Sequence, residues 1–261
     1  MDEIINKCVD FNCDITNLDF ANNNDFDLLD YVSSVNIPCG IHAGNPVDIK
    51  HVIEHCKFKN KVIGASIGFP LTNRKTAKKS FSYENLSYDE IEALVLYQLG
   101  ALVSFAKSNS LVIEYVRPSG LMYELAAKNL DFSVSLAKAI KKYSDWLIYY
   151  GASTDILKEA SESVSINYAA EVFVDKNYDN EGLPVFDDQS TLDVQISLMR
   201  LRKLLNLSEI ELADGSYKKL DFDTIHFCSM TDNIKDFLKE STKLVTPHPV
   251  NYNKAVPSGW V

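Results

Sequence analysis

Short apolar runs rich in β-branched residues recur along this chain, and most are separated by segments with helical periodicity. That alternation constrains the fold more than any other feature, because strands joined by helices pair in parallel and are covered by those helices. Seven strand candidates stand out, at 4–11, 34–39, 61–67, 111–117, 146–150, 164–173 and 224–229. Such an alternation folds either as an incomplete barrel or as an open doubly wound sheet. In both, the loops after the C-terminal ends of the strands build the site.

The helix at about 88–107 is the clearest, with Ile91, Leu94, Val95, Gln98, Leu99 and Leu102 on one face and Ser87 or Asp89 available as its cap. Further helices are expected at 46–58 behind Asn45-Pro46, and at 121–128, 132–142, 154–161, 190–205 and 232–240. Residues 71–87 carry four basic residues and few apolar ones, so they read as a long loop, either a lid over a site or a plain insertion. The proline-bearing stretch 241–261 is expected to run extended over the surface. With no repeat and no Pro/Gly-rich linker, residues 1–261 read as a single domain.

Composition narrows the function classes. The net charge of −10 repels phosphate backbones, which argues against nucleic acid as the main partner. No apolar run reaches the ~20 residues of a membrane span, and Met1-Asp2-Glu3 lacks the basic start of a signal peptide, so a cytoplasmic location is expected. Five cysteines without paired CxxC spacing read as reduced thiols, and Cys13 and Cys39 as small buried ones.

The residues that carry chemistry cluster early. In a strand with period two, Asp10, Asn12 and Asp14 share one face, and in a barrel that face points into the lumen. Two carboxylates flanking an amide there need a metal, a substrate amine or a basic side chain as partner. The stretch Asn36-Ile37-Pro38-Cys39-Gly40-Ile41-His42-Ala43-Gly44 then lets backbone approach a ligand and brings an imidazole beside those carboxylates. His42 is therefore the leading catalytic candidate, with Asp14 and Asp10. Asn12, Asn36, Gly44, Arg117, Tyr123, Glu171 and Asp175 are candidate substrate-binding residues. Arg117 suits a carboxylate clamp, and a structural ion pair with Asp10, Asp14 or Glu171 explains it equally well. His51 and His55 read as surface residues, His226 as a packing residue within a strand, and His248 as part of the tail. Too few histidines stand at strand ends for a two-His, one-carboxylate site, so no metal ligands are assigned.

These motifs resemble the LamB/YcsF family, whose characterised members are the A-type subunits of the prokaryotic 5-oxoprolinase. DFNCD at 10–14 resembles the family's DLNCD, and NIPCGIHAGNP at 36–46 resembles NIACGFHAGDP. YQLGAL at 97–102, VRPSGLMY at 116–123 and EVFVDKNY at 171–178 are similar to YQIGAL, VKPHGALY and EVFADRAY. The resemblance implies a TIM-like (β/α)7 barrel related to glycoside hydrolases and deacetylases. It also implies ATP-dependent opening of 5-oxoproline to L-glutamate, with ATP used through a complex with partner subunits of B and C type. Assembly of a homo-oligomer is left open.

The chain departs from the pattern at three histidines, which become Ser66, Ser119 and Met230, and Thr16-Asn17 replaces an acidic GE. Neither serine nor methionine transfers protons near neutral pH as imidazole does. Two alternatives thus stand beside the oxoprolinase reading. One is a catalytically impaired paralogue that binds a small molecule or serves as a scaffold; the other is an amide hydrolase of different substrate.

Overall fold

The computed structural model describes residues 9–15, 23–70, 83–186, 192–228 and 233–252. Seven parallel strands close into a barrel: β1 (Asp10–Asp14), β2 (Ser34–Pro38), β3 (Val62–Ile67), β4 (Ile113–Pro118), β5 (Ile148–Ala152), β6 (Asn167–Phe173) and β9 (Thr224–Phe227), with β9 pairing with both β6 and β1. The open-sheet alternative is excluded. A small antiparallel hairpin of β7 (Glu209–Glu211) and β8 (Tyr217–Lys219), not foreseen from the sequence, sits before β9.

The helices form where periodicity and capping agree. α1 (Pro46–Phe58) starts on Asn45, whose side chain accepts the Val47 and Asp48 N–H groups, with proline at its first position. α2 (Tyr88–Ser108) opens with a reciprocal box: Ser87 Oγ accepts the Glu90 N–H at 3.3 Å and the Glu90 carboxylate accepts the Ser87 N–H at 2.8 Å. By length and composition α2 could cross a membrane, contrary to the expectation that no run qualifies. Its stripe of Ile91, Val95, Leu99, Leu102 and Ala106 is buried, and α2 packs on β3 and on α4 (Leu130–Tyr143). α3 (Leu121–Lys128), α5 (Asp155–Val164), α6 (Val194–Leu207) and α7 (Ile234–Ser241) complete the coat.

Two boundaries differ from expectation. The first strand runs over Asp10–Asp14, past the expected end at 11, so the whole polar motif is strand; residues 4–8 of the expected strand lie outside the described residues. The stretch 241–261 begins in α7, and beyond it Pro247 bridges Val9 while the His248 N–H donates to the Val9 carbonyl at 2.9 Å. Residues 71–82 and 253–261 lie outside the described residues, and with them the question of a lid.

Alternation along each strand sorts the side chains. Phe11, Cys13, Val35, Ile37, Ala65, Ile67, Val116, Tyr149, Val172, Ile225 and Phe227 are buried in the layer between strands and helices. The lumen is filled differently. Low in the barrel, Tyr115, Ile148, Tyr150 and Ala169 form a separate apolar plug, with the Tyr115 and Tyr150 rings stacked at 3.9 Å. Gly64 makes room for it, since a Cβ there would lie 2.1 Å from Tyr115 Cε2.

Candidate functional site

Above and around this plug the lumen is polar and arranged in tiers. Asp10 is fully buried near the floor. Its carboxylate accepts the hydroxyls of Ser33 at 2.5 Å, Ser34 at 2.8 and 2.9 Å, Thr224 at 2.7 Å and Tyr150 at 3.2 Å. Burial raises its pKa, and those hydroxyls oppose the rise. The expected catalytic Asp10 is therefore a floor residue, its acceptor capacity filled by the barrel itself.

The middle tier is an amide network. The Asn12 amide donates to Glu171 Oε1 at 3.0 Å and to Thr224 Oγ1 at 2.7 Å, and Asn12 Oδ1 accepts from Asn36 Nδ2 at 2.7 Å. Tyr115 donates its hydroxyl to Asn36 Oδ1 at 2.8 Å. Asn12 and Asn36 were expected to bind substrate; both amides are committed to this network.

The upper tier holds the charges. Arg117, at the end of β4, directs Nε to Glu171 Oε1 at 2.7 Å and Oε2 at 3.0 Å, while Nη1 lies 3.6 Å from Asp14 Oδ1. Of the two readings of Arg117, the structure realises the ion pair: its Nε edge is occupied by Glu171. Burial acts against the guanidinium, but Glu171 and Asp14 hold its pKa above the usual value. Asp14, at the mouth, is pushed up by burial and pulled further down by Arg117 and His226, so it stays ionised well below the usual carboxylate range. The Tyr123 ring packs 5.1 Å from the guanidinium carbon and edge-on to Phe173.

His42 stands at the rim on the β2–α1 loop. Its ring lies over Gly68, where a Cβ would approach Cγ to 2.7 Å, and its Nε2 is 3.4 Å from Ser66 Oγ. Burial lowers its pKa, Asp14 partly offsets this, and the ring is biased towards the neutral form. Gly44 has φ +79°, and a Cβ there would meet Pro38 Cγ at 2.9 Å, so it shapes the turn that brings His42 to the mouth. Asp175 is buried beside the rim, where it accepts the Cys228 N–H at 3.0 Å and joins the ends of β6 and β9.

One residue of this cluster departs from its expected packing role. His226 is a lumen residue: Nδ1 is 2.7 Å from Asn12 Oδ1 and Nε2 is 3.4 Å from Asp14 Oδ2. The signal was present in the parity of Thr-Ile-His, which puts Thr224 and His226 on one face of β9. His51 is exposed on α1, and His55 stacks on Phe26. Ser66 lies in this upper tier and Ser119 follows β4, whereas Thr16, Asn17 and Met230 lie outside the described residues. No group of three or more His, Cys, Asp or Glu side chains suited to a metal ion occurs among the described residues.

The fold and site together define a class: a closed parallel seven-stranded β/α barrel with a charged, hydrogen-bonded lumen opening at the strands' C-terminal ends. Within that class the chain belongs to the LamB/YcsF family, whose sequence profile matches residues 9–255. It is 30% identical over 223 residues to a protein of Campylobacter jejuni named as the A subunit of 5-oxoprolinase, covering 83% of this chain and 84% of that one. A Staphylococcus carnosus protein of the same name is 27% identical over 253 residues, covering 94% of this chain and 98% of its own length. Among solved structures, the lactam utilization protein from Thermus thermophilus superposes with a TM-score of 0.79 at 25% identity, over 93% of this chain and 99% of that one.

Proposed function

We propose that this chain acts as an A-type subunit of 5-oxoprolinase, opening the cyclic amide of 5-oxoproline to L-glutamate in an ATP-driven complex with B- and C-type partner subunits in the cytoplasm. The observation that carries this reading is the convergence of Asp14, Arg117 and two imidazoles at the barrel mouth, within the stretch matched by a family whose relatives are named for that activity. Opening a lactam needs a base for the attacking water, a proton for the departing nitrogen and a cation for the substrate carboxylate. An imidazole that takes a proton from the water and returns it to the nitrogen serves the first two needs, with ionised Asp14 stabilising its charged form, and the outer edge of Arg117 serves the third.

ATP does not fit this lumen. The cluster already holds Asp10, Asp14 and Glu171, which repel a triphosphate, and the sequence contains no GxxxxGKS or GxxxxGKT run. No step on this chain is routed through ATP, whose use is assigned to the complex.

One observation favours a second reading, a binding or scaffolding paralogue without turnover: Glu171 occupies the Nε edge of Arg117, and serines stand at 66 and 119. Glutamate release from 5-oxoproline and ATP by this chain with its B- and C-type partners decides between them. Release that depends on Asp14 supports the enzyme. No release, in an assay where a relative named for the activity turns over with the same partners, establishes the second reading. An amide hydrolase of other specificity would instead hydrolyse a different amide.

A further inference from the structure

The hydrogen-bond network fixes more than the positions of its members. The hydroxyl of Thr224 donates its hydrogen to Asp10, so towards Asn12 it can only accept, and it does so from Asn12 Nδ2. The same amide nitrogen donates to Glu171. Asn12 Oδ1 is thereby the atom turned to His226, and a carbonyl oxygen accepts only. His226 Nδ1 must carry a hydrogen, which leaves Nε2 as the ring atom free to exchange a proton. Nε2 points to Asp14 at the mouth.

We propose that His226 is the proton carrier of this pocket, held in the Nδ1–H form by Asn12, taking and returning a proton at Nε2 while Asp14 stabilises the charged ring. The proposal rests on the ring-opening reading above and deepens it. When water adds to the amide carbonyl, a C–O bond forms and the C–N bond breaks. One water proton passes through Nε2 to the departing nitrogen, and nothing is oxidised or reduced. Around the ring stand Asn12 and Asp14 from β1, Asn36 from β2, whose Nδ2 lies 3.4 Å from Nδ1 but donates to Asn12 Oδ1 at 2.7 Å, and Glu171 Oε1 at 3.8 Å and the Phe173 ring at 4.7 Å from β6, with Arg117 beyond them paired with Asp14 and Glu171.

The test combines two readouts. In the full-length 15N-labelled protein, long-range imidazole NMR reports which nitrogen carries the hydrogen. His226 is assigned by its loss in His226→Gln, and also by elimination through single Gln variants of His42, His51, His55 and His248, which keeps the measurement available if His226→Gln does not fold. A ring that keeps its hydrogen on Nδ1, with or without a second one on Nε2, is expected; a ring whose only hydrogen is on Nε2 overturns the proposal. In the reconstituted complex, His226→Gln is expected to lower kcat by about 10²–10⁴-fold with KM little changed, and to remove one limb of the pH–rate profile. A kcat within about threefold of the parent overturns it. If the parent complex does not turn over 5-oxoproline, the ring-opening reading fails while the NMR result still decides the state of His226.

Discussion

The two faces of β1 show opposite chemistry one residue apart. Phe11 and Cys13 face the helices and make contacts that any apolar group of similar volume could make, whereas Asp10, Asn12 and Asp14 face the lumen and make directional bonds to named partners on five other strands. The first face specifies that a barrel forms; the second specifies this barrel's interior. Dispersion and apolar burial tolerate substitution because they are non-directional. A buried polar network does not, since each lost partner leaves a desolvated group behind. The difference implies that lumen changes cost more than outer-layer changes of equal size.

Arg117→Met gives the largest effect. It preserves much of the volume but strands Glu171, which is inaccessible, so a loss of about 3–5 kcal/mol in urea unfolding is expected. The double variant Arg117→Met with Glu171→Leu should recover part of that loss, because a buried pair replaced by apolar groups leaves no bare charge. If the single variant unfolds within about 1 kcal/mol of the parent, the claim that the lumen is the intolerant face is broken.

Gly64→Ala adds a single methyl to the lumen. The Tyr115 ring it meets is held by stacking on Tyr150 and by its hydrogen bond to Asn36, so it has no easy retreat. Destabilisation of about 3 kcal/mol is expected, at the upper end for overpacking. Relief by a companion Tyr115→Leu would locate the strain in that ring.

Asp14→Asn sharpens the comparison through pH. The folded pKa of Asp14 is depressed, so its contribution is present above the ordinary carboxylate range and is lost as pH falls through its folded value. The variant should be about 2 kcal/mol less stable at neutral pH, with the gap narrowing in acid. Asp10 works in the opposite sense: its pKa is raised by burial, so its contribution is greatest in acid and is lost as pH rises through the folded value. A gap between parent and variant that stays constant from neutral pH down into acid would show that Asp14 is not held ionised by Arg117 and His226.

The seven barrel strands and the helices were legible because each carries a full period of its own pattern, as in the Ile91 to Leu102 stripe of α2. The acidic and amide residues of β1 and β2 were legible because polar side chains at period two within an apolar run must share a face, and burying that face demands partners. His226 was not, because one strand alone cannot say which parity faces a lumen; that follows from its register with Asn12 and Phe173. The filled state of Arg117 was equally hidden, since Glu171 is 54 positions away and meets it only through barrel closure. The β7–β8 hairpin had a visible cue in Asp214-Gly215, with Gly215 at φ +80°, but its three-residue strands are too short to show alternation.

Ile37→Val is the smallest of these changes and the control on all of them. Ile37 is fully buried, yet it lies between the lumen residues Asn36 and Pro38 on the face turned to the helices, where it makes only apolar contacts. Removing one methyl group leaves no polar atom without a partner, so the cost is that of a lost methyl and a small cavity, about 1 kcal/mol or about 2–4 °C in Tm for a chain of this size. The equally small change on the other face, Gly64→Ala, is expected to cost about three times as much. Equal losses from the two would mean that the lumen is packed no more exactingly than the outer layer, and that its hydrogen bonds add chemistry to the barrel without adding rigidity.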